Sequence, residues 1–229
     1  MIYVTGDTHG EIGRFLDNNM GDRGWCADDT LIVCGDFGFV FGGGRREIEA
    51  LDYLETKSYT VCFCDGNHEN FHRLDSYPVE EWNGGRVHRI RKNVLHLMRG
   101  QVFDIGTTSV FTMGGAYSID RYMREEGVSF WREEIPSDED YRTATESLSA
   151  RGNAVDIIIT HTAPAEIIRR MGAFPDAHDA ELTGFLEWIM YSVKYKHWYF
   201  GHWHRDTSID TRFTAVHYDV HAAGAGVSW

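Results

Sequence analysis

The chain has 229 residues, 42% of them hydrophobic, which suits one compact domain with a substantial core. Its 35 acidic residues outnumber 22 basic ones, for a formal net charge of −13. Such a surface repels polyanions and argues against extended nucleic-acid binding and against an anionic membrane surface as partner.

In chain order, "IYVTGD" is a short apolar strand entered at once. No basic segment leads an apolar one, so no secretory leader is expected. A helical stretch is expected from about Glu11, and "GDRG" at 21–24 reads as a loop. "TLIVCGD" is a second strand, followed by a glycine-rich loop and a helix over Arg45 to Glu55. "YTVCFCDGNH" is a third, followed by a short helix. Fully apolar strands alternating with helices imply a parallel sheet buried on both faces. Cys34, Cys62 and Cys64 fall inside these runs, where a free thiol behaves as a small hydrophobe. Few cysteines and no evident disulfide framework fit a reducing, cytoplasmic setting.

The middle changes character. "RVHRI", "VLHLM", "QVFDI" and "TSVFTMGG" follow with short turns and read as an antiparallel meander. The basic stretch Arg86 to Asn93 alternates with period two and reads as the solvated face of a strand, Arg86 and His88 included. An acidic, helix-prone insert spans about 120–152, with Ser137 as N-cap and Asp140 at N3. Then come "VDIIITH", a helical region from about Pro164 to Tyr195, "HWYFGHWH", and closing strands "TSID" and "FTAVHYD". The late apolar segment is interrupted by Glu187, Lys194 and Lys196 and is too broken to span a bilayer. A single α/β domain over 1–229 is expected, with two mixed β-sheets face to face and helices outside.

Five apolar runs end in polar residues: Asp7 and His9, Asp36, Asn67 and His68, His161, and His202 and His204. Each alone has an ordinary reading as a turn or a helix cap. Together they occupy the carboxyl ends of strands, where open α/β sheets bind ligands. Carboxylates, imidazoles and an amide oxygen suit divalent cations such as manganese, iron, nickel, cobalt or zinc. Seven such ligands are too many for one catalytic ion and about right for two with open positions. A carboxylate such as Asp36 can bridge a pair.

The motifs "GDTHG", "CGDF", "DGNHE", "THTAP" and "FGHWH", in this order over residues 6 to 204, resemble the calcineurin-like metallophosphoesterase superfamily. The resemblance implies a four-layer α-β-β-α sandwich. It implies two divalent ions, manganese favoured, one on Asp7, His9, Asp36 and His204 and one on Asp36, Asn67, His161 and His202. It implies hydrolysis of phosphomonoesters by a metal-bound hydroxide, with Asp36 and His68 catalytic, Asn67 and His68 near the phosphoryl group, and His68 as general acid. The partner is then a small phosphorylated substrate, with no membrane involved. A phosphodiesterase acting on small nucleotides or nucleic-acid ends is the alternative reading, and a non-catalytic scaffold a third. The sequence departs from the phosphoprotein phosphatase branch: Asp65 precedes "GNHE" where an arginine is usual, and "GDFGFVFGGG" lacks the second arginine. Arg121, in "GGAYSIDRYMR", is the candidate substrate-contacting cation in their place.

Overall fold

The first half builds β1 (Ile2–Thr5), β2 (Thr30–Cys34), α1 (Arg45–Glu55), β3 (Thr60–Cys64) and α2 (Phe71–Leu74). Next come β4 (Val79–Trp82), β5 (Gly85–Arg91), β6 (Val94–Leu97), β7 (Val102–Ile105), β8 (Thr108–Met113) and α3 (Asp138–Ala150). The second half adds β9 (Ile157–Thr160), α4 (Ala165–Arg170), α5 (Ala180–Ser192), β10 (His197–Phe200), β11 (Thr207–Ser208), β12 (Phe213–Ala215) and β13 (His221–Ala223). These come from a computed structural model that describes residues 1–16, 20 and 23–223. Gly21 and Asp22 of the "GDRG" loop reading lie outside them.

The strands form a seven-stranded sheet ordered β13-β1-β2-β3-β6-β5-β4 and a six-stranded sheet ordered β11-β12-β10-β9-β8-β7. Side-chain alternation decides the layers. In β2, Leu31 and Val33 face a core shared with Leu51 and Leu54 of α1, while Ile32 and Cys34 face the other sheet. In β10, Trp198 and Phe200 pack with Leu186 and Ile189 of α5, while Tyr199 faces inward. Helices therefore cover both outer faces of a sheet-on-sheet core, giving the four layers in the order helix, sheet, sheet, helix.

The expected meander is split. β5 and β6 form an antiparallel pair in the first sheet, but β6 also pairs in parallel with β3. With both its edges taken, β6 has no place for β7, which crosses to the second sheet and pairs with β8. The crossing turns at Gly100, whose φ is 70° and whose Cα lies so close to α3 that a Cβ would sit 2.6 Å from the Ala144 amide nitrogen. The basic stretch also differs from expectation at one residue. Arg86 is exposed, but His88 is buried against His96, with Nδ1 atoms 2.9 Å apart. The stretch near Glu11 is a 3-10 turn over Ile12–Phe15, and the region from Pro164 divides into α4 and α5. β4 and β13 had no sequence signal strong enough to read; β13 closes the sheet against β1. No described helix is long and apolar enough to cross a membrane.

Residues 121–150 hold two 3-10 turns, Arg121–Met123 and Arg132–Glu134, and then α3. Ser137 caps α3: its Oγ accepts from the Asp140 amide at 3.3 Å, and the Asp140 carboxylate accepts from the Ser137 amide at 2.7 Å. Removing the hydroxyl leaves orphan N–H groups at the helix start. Ser137→Ala should lower stability by about 1 kcal/mol, read as a lower urea midpoint at unchanged slope.

Candidate metal centre

The carboxyl ends of β1, β2 and β3 in one sheet and β9 and β10 in the other meet at one rim, and all seven candidate donors converge there. On one side, His9 Nε2 faces His204 Nε2 at 3.0 Å, and His204 Nε2 stands 3.7 Å from Asp7 Oδ1. On the other, His161 Nε2 stands 3.0 Å from Asn67 Oδ1, with the His202 ring 4.9 Å away between centroids. Asp36 lies between the two. Its Oδ2 is 3.8 Å from His9 Nε2 and its Oδ1 is 3.5 Å from His161 Nε2. One carboxylate thus offers an oxygen to each group.

The backbone bends sharply to achieve this. Among the described residues, seven non-glycine residues have positive φ, and five of them are Asp7, His9, Asp36, His202 and His204. This left-handed region costs an L-residue on the order of 1 kcal/mol or more, and such strain gathers at functional sites. The glycine before a donor serves close approach. A Cβ on Gly66 would lie 2.0 Å from Asp36 Oδ1, and one on Gly35, at φ 84°, would lie 2.1 Å from His161 Nδ1. Neither position tolerates a side chain without moving a donor.

The donor set fits cations. His161 Nδ1 lies 2.8 Å from the Cys34 carbonyl, which can only accept, so Nδ1 carries a proton. In the neutral ring Nε2 then presents a lone pair to two acceptor oxygens, those of Asn67 and Asp36. Asn67 Nδ2 donates to Ser118 Oγ at 3.0 Å, which aims its Oδ1 inward. Lone pairs meeting at these distances repel unless positive charge lies among them. Without a cation, protons must supply it. Burial disfavours the His161 imidazolium, yet the Asp36 and Asp7 carboxylates outweigh this and raise its pKa. Burial likewise pushes Asp7 up to about 7, with the Asp36 charge adding to the rise. Burial would also raise Asp36, but His161, His68 and His9 outweigh it and hold its carboxyl down. Burial lowers His9 to about 4 and His202 to about 3, so both present neutral nitrogens near pH 7. Two cations would fit this set, one near His9, His204 and Asp7 and one near His161, Asn67 and His202, with Asp36 between.

His68 stands beside the donors rather than among them. Its amide donates to Asp36 Oδ1 at 2.8 Å, and its ring packs edge-on to His9. Its neighbour Glu69 is buried, and Oε1 accepts from the Phe37 amide at 2.7 Å, bracing the turn that carries Asp36. Burial, reinforced by Asp36, pushes the Glu69 carboxyl well up.

Arg121 does not face the site. Its guanidinium donates to Glu134 at 2.6 Å and stacks on Tyr117 and Phe130. Glu134 accepts from the Ser118 amide and hydroxyl, and Ser118 accepts from Asn67. Arg121 therefore acts on the centre through Glu134 and Ser118, as a brace for Asn67. The cation that faces the cavity is Arg124, one turn on. It lies 3.1 Å from the His68 ring nitrogens and 2.7 Å from Asp120. Three-residue spacing within "DRYMR" puts both arginines in reach of the same region, and only the fold separates them.

A family model described as calcineurin-like phosphoesterase matches residues 1–206. No curated protein sequence matches the chain. Among solved structures, the chain is similar to phosphopantetheinyl hydrolase (PptH) from Mycobacterium tuberculosis, at 17% identity and TM-score 0.43, covering 95% of this chain and 89% of that one. It is also similar to the sulfate thiohydrolase SoxB from Thermus thermophilus, at 13% identity and TM-score 0.42, covering 93% of this chain and 37% of that one.

A shared carboxylate predicts an order of loss. Metal analysis after manganese loading should find both ions depleted in Asp36→Asn and chiefly one depleted in His9→Ala; equal stoichiometry in the two would count against sharing. Glu134→Gln, which touches no ion, should weaken manganese binding about 10- to 100-fold through Asn67, as titration calorimetry would measure.

Proposed function

This chain belongs to the calcineurin-like phosphoesterase family of metal-dependent hydrolases, and we propose that it hydrolyses small phosphomonoesters at the centre described above. The observation that carries the reading is Asp36, shared between two groups of donors, with His68 and Arg124 at the same rim. In the hydrolysis one P–O ester bond breaks, water supplies the new P–O bond, and the departing alkoxide takes up a proton. When bound on Asp7, His9, Asp36, Asn67, His161, His202 and His204, two divalent cations supply Lewis acidity, which lowers the pKa of water and offsets phosphoryl charge. Manganese suits the carboxylate and amide oxygens, and the imidazoles equally suit iron, nickel or zinc.

Arg124 is the guanidinium placed to hold phosphoryl oxygens, as a fixed fork of donors. His68 is the group placed to protonate the leaving oxygen. The Arg124 guanidinium lies 3.1 Å from both His68 ring nitrogens, and a cation so close disfavours the imidazolium in the free protein. Burial lowers the His68 pKa and Arg124 adds to this, against an upward pull from Asp36. An entering phosphate dianion draws Arg124 to its own oxygens and favours the imidazolium. The proton is then in place when the substrate is.

The basic stretch gives no support to nucleic-acid substrates, since Arg89 pairs with Glu80 and Arg91 with Asp52, away from the rim. Cys34, Cys62 and Cys64, buried as free thiols, agree with a cytoplasmic location.

Metal-stripped protein resupplied with manganese, nickel or zinc should hydrolyse phosphomonoesters faster than diesters or phosphopeptides; the reverse order would reject the reading. His68→Asn should slow an alkyl phosphate on the order of 10²- to 10⁴-fold and p-nitrophenyl phosphate far less, with metal content unchanged. Equal losses on both would leave His68 as a positioning residue only. Arg124→Ala should raise KM for every substrate.

A further inference from the structure

The cavity that holds the donors extends well beyond them. It measures about 530 Å³, within the roughly 300–1,000 Å³ range of small-molecule sites. Asp36, Asn67, His202 and His204, with His68, form its floor. Its wall is built of Tyr117, Ile119, Phe174 and Trp203. Phe174 comes from the turn between α4 and α5, and Ile119 from the loop after β8. They are 89% and 72% exposed. A lone exposed phenylalanine is ordinary. Here two large apolar side chains from separate loops line the same cavity as the candidate centre. The other two members are braced: Tyr117 stacks on His178 at 4.3 Å, and Trp203 packs edge-on to His202.

A phosphoryl group makes no use of such a wall, since its oxygens need donors. The wall suits the organic part of a substrate. The charges beside it narrow the class further. Asp120, Asp176 and Asp179 line the same cavity, and among the described residues Arg124 is its one arginine or lysine. Three carboxylates against one guanidinium disfavour a chain of phosphates. One oxygen of each is already taken, by Arg124 at Asp120, by His178 at Asp176 and by the Tyr117 amide at Asp179, and the second oxygen of each can accept from N–H donors on a ligand.

We propose that Tyr117, Ile119, Phe174 and Trp203 form a subsite for a planar aromatic group bearing N–H donors, on the alcohol side of a single phosphoryl group. The substrate class is then that of nucleoside monophosphates. The placement of the scissile bond rests on the phosphomonoesterase reading; the aromatic subsite itself rests on the wall.

The test compares adenosine 5′-monophosphate with ribose 5-phosphate, which share a leaving oxygen and differ by the base. With manganese-loaded protein, kcat/KM should favour the nucleotide by about ten-fold or more, the scale of one aromatic stacking contact. Phe174→Ala should shrink that ratio toward one, and Phe174→Tyr should restore it. Phe174 is exposed, so neither change should disturb folding, which circular dichroism would check. Binding is read separately in metal-free protein by saturation-transfer NMR with adenosine. The base protons should receive saturation from the wild type and markedly less from Phe174→Ala. Adenosine binding without hydrolysis of either phosphate would reject the phosphomonoesterase reading and keep the subsite. Equal kcat/KM for the two phosphates, or equal saturation in wild type and variant, would overturn the subsite.

Discussion

The structure turns on a convergence of lone pairs around Asp36. Imidazole nitrogens, an amide oxygen and carboxylate oxygens face one another at 3.0–3.8 Å. The neutral His161 Nε2 meets the Asn67 and Asp36 oxygens lone pair against lone pair, which is unfavourable until positive charge is present. Protons on His161 and Asp7 can supply some: burial would lower His161 but the Asp36 and Asp7 carboxylates raise it, and burial raises Asp7. Divalent cations supply more and offer open coordination besides. The shifts of Asp7 and Asp36 oppose each other because burial prevails at Asp7, whereas at Asp36 the nearby His161, His68 and His9 outweigh burial.

Holding such a cluster needs a frame that does not relax. Each donor lies one to a few residues beyond a strand that is hydrogen-bonded into its sheet and buried on both faces. The turns that follow place five donors at positive φ. That strain persists because neighbouring groups over-determine it. Arg14, itself buried, donates to the carbonyls of Gly6 and Asp7, to Thr5 Oγ1 and to the His217 carbonyl, tying the first donor turn to the C-terminal segment. Arg99 and His96 do the same for the turn after β3 by bonding the buried Asp65 carboxylate. The site is assembled by loops, but the loops are anchored by buried ion pairs and by two packed sheets.

Charge is distributed economically around this centre. A chain with a net charge of −13 meets an anionic ester at a rim where Arg124 is the guanidinium that lines the cavity. Most other arginines are committed elsewhere: Arg121 to Glu134, Arg99 to Asp65, Arg89 to Glu80. Attraction for the phosphoryl group must then come from bound cations and Arg124 together. Long polyanions would meet the surrounding negative surface instead.

Much of this was legible in the sequence, because strand, turn and donor are local. Apolar runs of four or five residues ending in Gly-Asp, Gly-Asn-His or Gly-His-x-His specify a buried strand, a tight turn and a lone pair within one stretch of chain. Ser137 and Asp140 specified a helix start for the same reason, since a capping box is contained in four residues. What the sequence left open was every choice between distant partners. Period-two alternation marked β5 to β8 as strands but not which sheet each joins, and the free edge of β3 decided that by taking β6. The same alternation put His88 outward, until β6 brought His96 to face it. Arg121 and Arg124 are equivalent cations three residues apart; Glu134, thirteen residues beyond the first, claims Arg121 and leaves Arg124 to the rim. Phe174 and Ile119 carried no signal at all, because an exposed apolar residue acquires meaning only from the cavity the fold places beside it.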